Sequence, residues 1–270
     1  MPSWFQRLHG PAIQIGYRPT TRSASFYLST LVSLHNETMN IWSHVLGVVA
    51  FVVLLIFGDR ADDLYMITYR LASAATFLAS AAYHTLLPIN ERVYARLQRL
   101  DYAAIFILIG ASAIPYYSIE YACSATLELA AVVTTAAMML VLAFLVGTQD
   151  WFARDTPRGR LVRVAAFSAF ALTCVVFGGL AVLTGFSPKP YIEADPAIGV
   201  GLRLVSALYV AGPVAYAFAW PERLGPGAFT DLFGASHQIM HVCVLGGALV
   251  NGWCMERALN LRDVVTSCES

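Results

Sequence analysis

Charged side chains are scarce in this chain, at 13% of its 270 residues against about 25% in an average soluble domain. Hydrophobic residues make up 58% of the sequence. A soluble core of this length does not need so much apolar sequence, so the composition excludes an ordinary soluble domain. The formal net charge is zero, which removes the electrostatic attraction on which nucleic-acid binding depends. The composition therefore favours a membrane protein and excludes a nucleic-acid partner.

The five cysteines form no recognisable spacing pattern. None belongs to a CxxC pair, and Cys174 and Cys243 lie inside apolar stretches, where cysteine is typical of small core residues. We therefore expect no disulfide framework.

Seven long apolar stretches dominate the chain. Each is long enough to cross a hydrocarbon layer of roughly 30 Å as a helix. Proline interrupts the third and the sixth, at Pro115 and Pro213, which membrane helices tolerate when neighbouring groups satisfy the freed carbonyl. The pattern predicts an all-α, seven-transmembrane helix bundle. The expected spans are residues 40–58, 64–87, 98–119, 125–147, 162–186, 199–220 and 232–255.

The placement of arginine predicts the orientation of this bundle. Eleven of the 17 cationic residues fall on the side of the N-terminus, and six fall on the other side. Because loops rich in Lys and Arg stay in the cytoplasm, we expect a cytoplasmic N-terminus and a lumenal or extracellular C-terminus. The chain is then an integral multi-pass protein of the plasma membrane or an endomembrane. We expect a cytoplasmic tail at residues 1–22, one membrane domain at 23–258 and a short C-terminal tail at 259–270.

Four ionisable residues stand inside the apolar stretches, all near the same end of the predicted bundle. His84 lies one turn before the end of the second stretch, Asp101 lies just inside the third, and His237 and His241 open the seventh. In the predicted orientation, all four lie near the cytoplasmic face. Ionisable side chains in a membrane span are costly, so a convergent set indicates a functional site.

The spacing of the histidines is typical of a metal site. His237 and His241 are four residues apart, so their imidazoles share one helical face and can reach one ion. His84 supplies a third nitrogen from another helix. Three histidines with an open fourth position match a catalytic zinc site rather than a closed structural one. The alternative is three separate histidines, each bonded to a backbone carbonyl or lining a polar channel.

Asp101 and Ser80 are the candidate catalytic residues. Asp101 fits either a fourth ligand or a general base that accepts the proton of a zinc-activated water. Ser80 stands one turn before His84 on the same face, within reach of a substrate carbonyl or a water. The alternatives are an Asp101 that pairs with Arg99 or caps its helix, and a Ser80 that bonds its own helix backbone.

A second polar group opens the first span and consists of Glu37, Asn40 and His44. Spacings of three and four residues put these side chains on one helical face. Asn36 is a candidate N-cap for that helix, with Glu37 favourable in the first turn. We interpret the group as mainly a structural network, with a role in substrate access as the alternative.

Four segments occur in order along the chain: HNETMNIWSH, SAAYH, RLDYAAI and SHQIMH. They resemble the signature segments of the progestin and adipoQ receptor family, which includes the adiponectin receptors, their fungal homologues and the haemolysin III proteins. The segments GYRPT and PERLGPGAFTDLFGASHQIMH are most similar to the adiponectin-receptor and fungal branch. The resemblance spans residues 16–256.

The resemblance implies a seven-helix bundle with a zinc ion near the cytoplasmic face. It implies that His84, His237 and His241 are direct ligands. It also implies that Asp101 contacts zinc through a water and that Ser80 lies beside that water. The implied activity is ceramidase-like hydrolysis of a lipid amide, with ceramide or a free fatty acid as the membrane lipid partner.

Two classes of function remain open at this point. The first is a zinc-dependent lipid amidohydrolase within the membrane, in which Asp101 assists the attack of water and Ser80 stabilises the oxyanion. The second is a membrane receptor or lipid sensor with a structural zinc and no turnover. A zinc position joined to a cavity that faces the bilayer would favour the enzyme. A transporter or channel is disfavoured because the outer half of the predicted bundle is mostly apolar.

Overall fold

The computed structural model describes residue 13 and residues 15–149, 151–152, 156–177, 190–225 and 227–265. Within these ranges the chain forms α-helices and short 3-10 turns, and no β-strand. The predicted all-α class is therefore confirmed for the described residues. The helices are α1 (Ala24–Ser29), α2 (Thr38–Phe57), α3 (Leu64–Leu86), α4 (Glu91–Glu120), α5 (Ala125–Thr148), α6 (Pro157–Phe177), α7 (Pro190–Ala194), α8 (Pro196–Phe218), α9 (Ala228–Leu232) and α10 (Ser236–Val265).

Six of the seven long helices are long and apolar enough to cross a membrane, namely α2, α4, α5, α6, α8 and α10. The seventh, α3, has 23 residues, or about 34 Å at the rise of an α-helix, so its length is sufficient. It is less apolar because it buries polar side chains inside the bundle, including Arg70, Ser73, Thr76, Ser80, His84 and Thr85. The chain is a multi-pass membrane protein, and the crossing of α3 stays a prediction.

α4 and α10 extend furthest beyond the spans that the sequence predicted. α4 begins at Glu91 rather than at residue 98, because the side chain of Asn90 accepts a hydrogen bond from the first turn and caps the helix. α10 begins at Ser236 and continues to Val265, ten residues past the predicted end. Apolar sequence marks only the part of a helix that lies in lipid, so hydropathy underestimates helices that continue into water.

The described parts of the two proline-containing spans are helical as expected. Pro115 lies inside α4, and Pro213 lies inside α8. The end of the predicted fifth span, residues 178–186, lies outside the described residues.

α4 lies at the centre of the bundle. It packs against α3, α5, α6 and α10, and 72% of its apolar segment is buried. One apolar core joins it to α2, α3, α8 and α10 around Phe51 and Met255. Another joins it to α5 and α6 around Phe106 and Phe170. Large apolar side chains such as Phe144 are exposed on the outer surface, as expected of helices that face lipid. Because α4 is the central helix, Asp101 is surrounded by other helices, although it lies nearer the first end of α4 than the last.

The cysteine spacing predicts no disulfide framework, and it did not indicate the bond that the structure has at Cys123. This residue is disulfide-bonded, whereas Cys174, Cys243 and Cys254 are free. A single bridge leaves no spacing pattern along a chain, which is why the sequence did not indicate it. Cys123 follows the end of α4 that is remote from Asp101. Because disulfides persist in oxidising compartments, the bridge supports a lumenal or extracellular position for that end of the bundle.

Tags at the two termini test whether α3 crosses the membrane. Seven crossings put residues 1 and 270 on opposite sides, whereas six put them on the same side. In protease-protection assays on sealed membranes, we expect a tag at residue 1 to be cleaved from the cytoplasmic side and a tag at residue 270 to be protected. A tag in the loop between α2 and α3 is the control, because that loop is protected with either number of crossings. Two termini on one side would contradict the seven-span bundle.

Candidate metal site and adjoining cavity

Three imidazoles meet where α3 ends and α10 begins. His84 belongs to the last turn of α3, and His237 and His241 belong to the first two turns of α10. The Nε2 atom of His237 lies 3.2 Å from Nε2 of His84 and 3.1 Å from Nε2 of His241. One nitrogen from each ring lies within 4.8 Å of the other two. The structure thus brings together the three histidines that the sequence singled out.

Residues of α2 and its N-terminus hold the outer nitrogens of two of these rings. The Oε2 atom of Glu37 lies 2.7 Å from Nδ1 of His84, and the carbonyl oxygen of Asn40 lies 3.2 Å from Nδ1 of His241. The side-chain amide of Asn40 donates to the same Glu37 carboxylate. An acceptor beside Nδ1 favours the tautomer with its proton on Nδ1, which leaves the Nε2 lone pairs directed at one another.

These contacts extend one interpretation of the sequence and correct another. Glu37, Asn40 and His44 do form a polar network, but it directly contacts the three histidines: the rings of His44 and His241 stack with 3.8 Å between centroids. The proposed N-cap role of Asn36 is wrong, because the N-cap residue of α2 is Glu37. Glu37 makes no side-chain capping bond, and its carboxylate instead contacts His84 and Asn40.

Two buried charged residues hold the helix ends that carry the site. Arg18 donates to the carbonyl oxygens of His84 and Thr85 at the C-terminal end of α3, at 2.5 Å and 2.9 Å. Glu222 accepts hydrogen bonds from the backbone N–H and the hydroxyl of Ser236 at the start of α10. A cation at a helix C-terminus and an anion at an N-terminus are both favoured by the helix dipole. Sequence reasoning missed both residues, because neither contact leaves a local spacing pattern.

A neutral histidine supports the backbone of Glu37. The Nδ1 atom of His35 accepts a hydrogen bond from the N–H of Glu37 at 3.1 Å. Burial, together with the nearby charge of Arg18, lowers the pKa of His35 to about 4. The ring is therefore neutral near pH 7 and keeps the acceptor nitrogen that this bond requires.

The donor set fits a zinc ion. Tetrahedral zinc with nitrogen ligands at roughly 2.0–2.1 Å holds those nitrogens about 3.4 Å apart. The measured separations of 3.2 Å and 3.1 Å are close to that value. Separate histidines that each bond a different carbonyl would not need their Nε2 atoms to converge. The geometry therefore favours a shared ion, and the identity of that ion as zinc stays a prediction.

Asp101 and Ser80 lie beside the histidine cluster, on α4 and α3. Both side chains are buried, and the Ser80 hydroxyl hydrogen-bonds the Asp101 carboxyl group. Asp101 does not cap a helix, because α4 begins ten residues earlier and is capped by Asn90. Ser80 therefore bonds Asp101, which is itself a candidate catalytic residue. The catalytic roles of both residues stay predictions.

An apolar cavity of about 230 Å³ adjoins the cluster. One end is lined by Asp101, Ser80, His237 and His241, and its sides are formed mainly by apolar residues of α4, α6, α8 and α10. Ser168 of α6 lines the cavity and is also exposed at the surface of the bundle. An opening of the cavity toward the bilayer, which would favour an enzyme, stays a prediction.

A smaller pocket of about 90 Å³ lies on the other side of the histidine cluster. Polar residues, among them Glu37 and Arg160, contribute to its lining. His237, Tyr102 and Tyr216 line both this pocket and the apolar cavity. The histidine cluster therefore stands at a boundary between polar and apolar space.

Arg163 is a buried cation at the same boundary. Its side chain lines the apolar cavity, although the residue is only 1% exposed. It donates to the hydroxyl of Tyr216 at 2.8 Å and lies over the ring of Tyr102 at 4.9 Å. Sequence reasoning did not single out Arg163. The available signal was a cation at the start of an apolar stretch, where burial of the charge requires partners.

The fold and the site define a multi-pass membrane protein with a buried histidine cluster at one end of a helix bundle. Residues 32–251 match the family described as Haemolysin-III related, and the chain belongs to that family. The resemblance to the progestin and adipoQ receptor family is thereby confirmed.

Similar proteins come from animals and fungi. The Adiponectin receptor protein of Drosophila melanogaster is 28% identical, over 99% of this chain and 60% of the relative. Progestin and adipoQ receptor-like protein 1 of Caenorhabditis elegans is 32% identical, over 93% of this chain and 58% of the relative. The ADIPOR-like receptor IZH1 of Eremothecium gossypii is 31% identical, over 92% of this chain and 80% of the relative. The chain thus spans about three fifths of the length of the first two relatives.

Metal analysis of purified variants tests the histidine cluster. We expect about one zinc ion per chain in the wild type, and less zinc with a lower Tm in His84→Ala and His237→Ala, because metal binding contributes to folding. Glu37→Gln should weaken zinc binding by about 10- to 100-fold, the usual effect of losing the partner of a ligating histidine.

His44→Phe is the matched control for these variants. It keeps a ring stacked on His241 and removes an imidazole that is not among the three clustered ligand atoms, so it should keep the metal. Full zinc content and an unchanged Tm in both alanine variants would contradict the site.

Proposed function

We propose that this chain is a zinc-dependent hydrolase of lipid amides within the membrane. The observation that carries the proposal is the position of the histidine cluster beside an apolar cavity in the bundle. His237, His241 and Asp101 all line that cavity. A site that only stabilises a fold has no need of such a cavity, whereas a lipid substrate requires one.

The three imidazoles would hold the ion, through Nε2 of His84, His237 and His241. A zinc ion bound there supplies Lewis-acid chemistry for attack on a carbonyl group. Glu37 and the carbonyl of Asn40 keep two of the rings in the tautomer that binds a metal.

Asp101 is the proposed general base. It accepts a proton from the attacking water as the water oxygen bonds to the carbonyl carbon. It then returns that proton to the amide nitrogen as the carbon–nitrogen bond breaks. Before reaction, the Ser80 hydroxyl donates to the carboxyl group and holds it in place. Once Asp101 has taken the proton of the water, its own O–H donates to Ser80 Oγ, and the Ser80 proton becomes the candidate donor to the developing oxyanion. Water reaches Asp101 from the polar pocket, which shares His237 with the cavity.

The cavity favours a substrate with a hydrocarbon chain. An acyl chain lies along its apolar walls, and the amide carbonyl then lies at the boundary formed by Tyr102 and Tyr216. Arg163 is placed to bind the carboxylate that hydrolysis produces, because it lines the cavity beside Tyr216. Ceramide has the required amide and acyl chain, and its products are a sphingoid base and a free fatty acid.

The alternative is a membrane receptor or lipid sensor with a structural zinc ion. The names of the relatives favour it, since several are called receptors. The same cavity would then hold a lipid without turnover. The two functions differ in one measurable property, which is the release of product from a lipid amide.

An Asp101→Asn variant separates the two functions. The variant keeps the three imidazoles and the size of the side chain, so it should keep most of its zinc and its fold. Hydrolysis should fall by about 10²-fold or more, the usual contribution of a general base. The measurement is release of free fatty acid from long-chain ceramides in nanodiscs, with zinc content and Tm determined on the same preparations.

Two outcomes would count against this assignment. Equal release by the wild type and a zinc-loaded Asp101→Asn protein would remove Asp101 from the mechanism. Folded, zinc-loaded wild type that releases no fatty acid from any lipid amide would favour the receptor.

A further inference from the structure

Away from the histidine cluster, the apolar cavity is lined by a tyrosine whose buried hydroxyl group has no partner among the residues that the structure describes. The Oη atom of Tyr209 is buried and makes no hydrogen bond to any described residue. Tyr209 belongs to α8 and lines the cavity. A buried tyrosine hydroxyl normally has a partner, because an unpaired polar group away from water is costly. This hydroxyl is therefore available to a group that enters the cavity.

The neighbouring polar groups already have partners. Tyr116 donates to the side-chain oxygen of Asn251 at 3.0 Å, and Tyr69 donates to the carbonyl oxygen of Ala248 at 2.6 Å. These bonds join α3 and α4 to α10. Structural bonds thus account for Tyr116 and Tyr69 but not for Tyr209.

A glycine gives Tyr209 its position. A Cβ atom at Gly247 of α10 would lie 2.4 Å from Cε1 of Tyr209, closer than real Cβ contacts allow. The ring lies against α10 only because residue 247 has no side chain. The position of this phenol ring therefore depends on residues of two helices, Tyr209 of α8 and Gly247 of α10.

The distance from the histidine cluster fits a chain that starts at the site. Tyr216 contacts the ring of His237, with 5.3 Å between centroids. Seven residues of α8 separate Tyr216 from Tyr209, or about 10 Å along the helix. A lipid whose carbonyl lies beside His237 would bring the middle of its chain to Tyr209.

We propose that Tyr209 forms a polar subsite, and that the cavity selects an acyl lipid with a hydroxyl group in the middle part of its chain. The inference rests on the proposed function, because it places the carbonyl of the acyl group at the histidine cluster. A plain chain leaves the Tyr209 hydroxyl unpaired, whereas a hydroxylated chain of the same length pairs with it at one position only.

Binding of fatty acids to the purified, zinc-loaded protein tests this subsite. The probes are stearic acid and a series of stearic acids with one hydroxyl group moved along the chain. Their affinities are measured in nanodiscs by competition with a fluorescent fatty acid. We expect one region of the series to bind about fivefold more tightly than stearic acid, the usual net worth of one hydrogen bond. Hydroxyl groups elsewhere along the chain should weaken binding, because they are buried against apolar walls.

Tyr209→Phe should abolish the preference and leave the affinity for stearic acid unchanged. Gly247→Ala should reduce the preference, because its methyl group displaces the ring. Ser112→Ala is the matched control: Ser112 also lines the cavity, but its hydroxyl already donates to the carbonyl of Leu108, so the preference should remain.

Three outcomes would overturn the inference: equal binding of all the acids, no binding of any of them, or a preference that survives Tyr209→Phe. Fatty-acid binding by the Asp101→Asn protein separates the subsite from the proposed function, because binding at Tyr209 does not require hydrolysis. A hydroxyl preference without amide hydrolysis in the wild type would contradict the enzyme and support the subsite. Hydrolysis without a hydroxyl preference would do the reverse.

Discussion

The contact between Glu37 and His84 connects the fold to the site. It joins the start of α2 to the end of α3, and His237 continues the connection to α10. A carboxylate and an imidazole buried without partners would each be costly at this depth, whereas together they satisfy one another. Asn40 contacts both Glu37 and His241 and closes the network. The contacts that pack these three helices are thus the same contacts that orient the candidate ligands.

Local patterns were sufficient to predict the candidate ligands. His237 and His241 stood out because a helix brings every fourth residue to one face, and His84 and Asp101 stood out because ionisable groups are rare in apolar stretches. The contacts of Arg18, Glu222 and Arg163 could not be predicted in this way. Each joins segments that are far apart in sequence, so the chain shows a polar residue at a span end and no sign of its partner.

Helix ends and the disulfide show a second limit of sequence reasoning. Hydropathy detects the part of a helix that contacts lipid, so it missed the first turns of α4, which Asn90 stabilises by capping. It also counted α3 among the apolar stretches, although α3 is the one long described helix whose apolar segment falls short of those of the six candidate spans. The bond at Cys123 depends on how the bundle folds, and no spacing rule contains that information.

The polar character of α3 has a consequence for how the protein is made. Insertion of a helix into the bilayer from the translocon depends on its apolar content, and Arg70 and His84 both oppose that step. Partners lower the cost: Glu256 of α10 pairs with Arg70, and Glu37 contacts His84. One of these partners is synthesised before α3, and the other is among the last residues of the bundle to emerge from the ribosome. If α3 crosses the membrane as predicted, we expect its stable insertion to be completed only after α10 has been made, in the step that also assembles the histidine cluster.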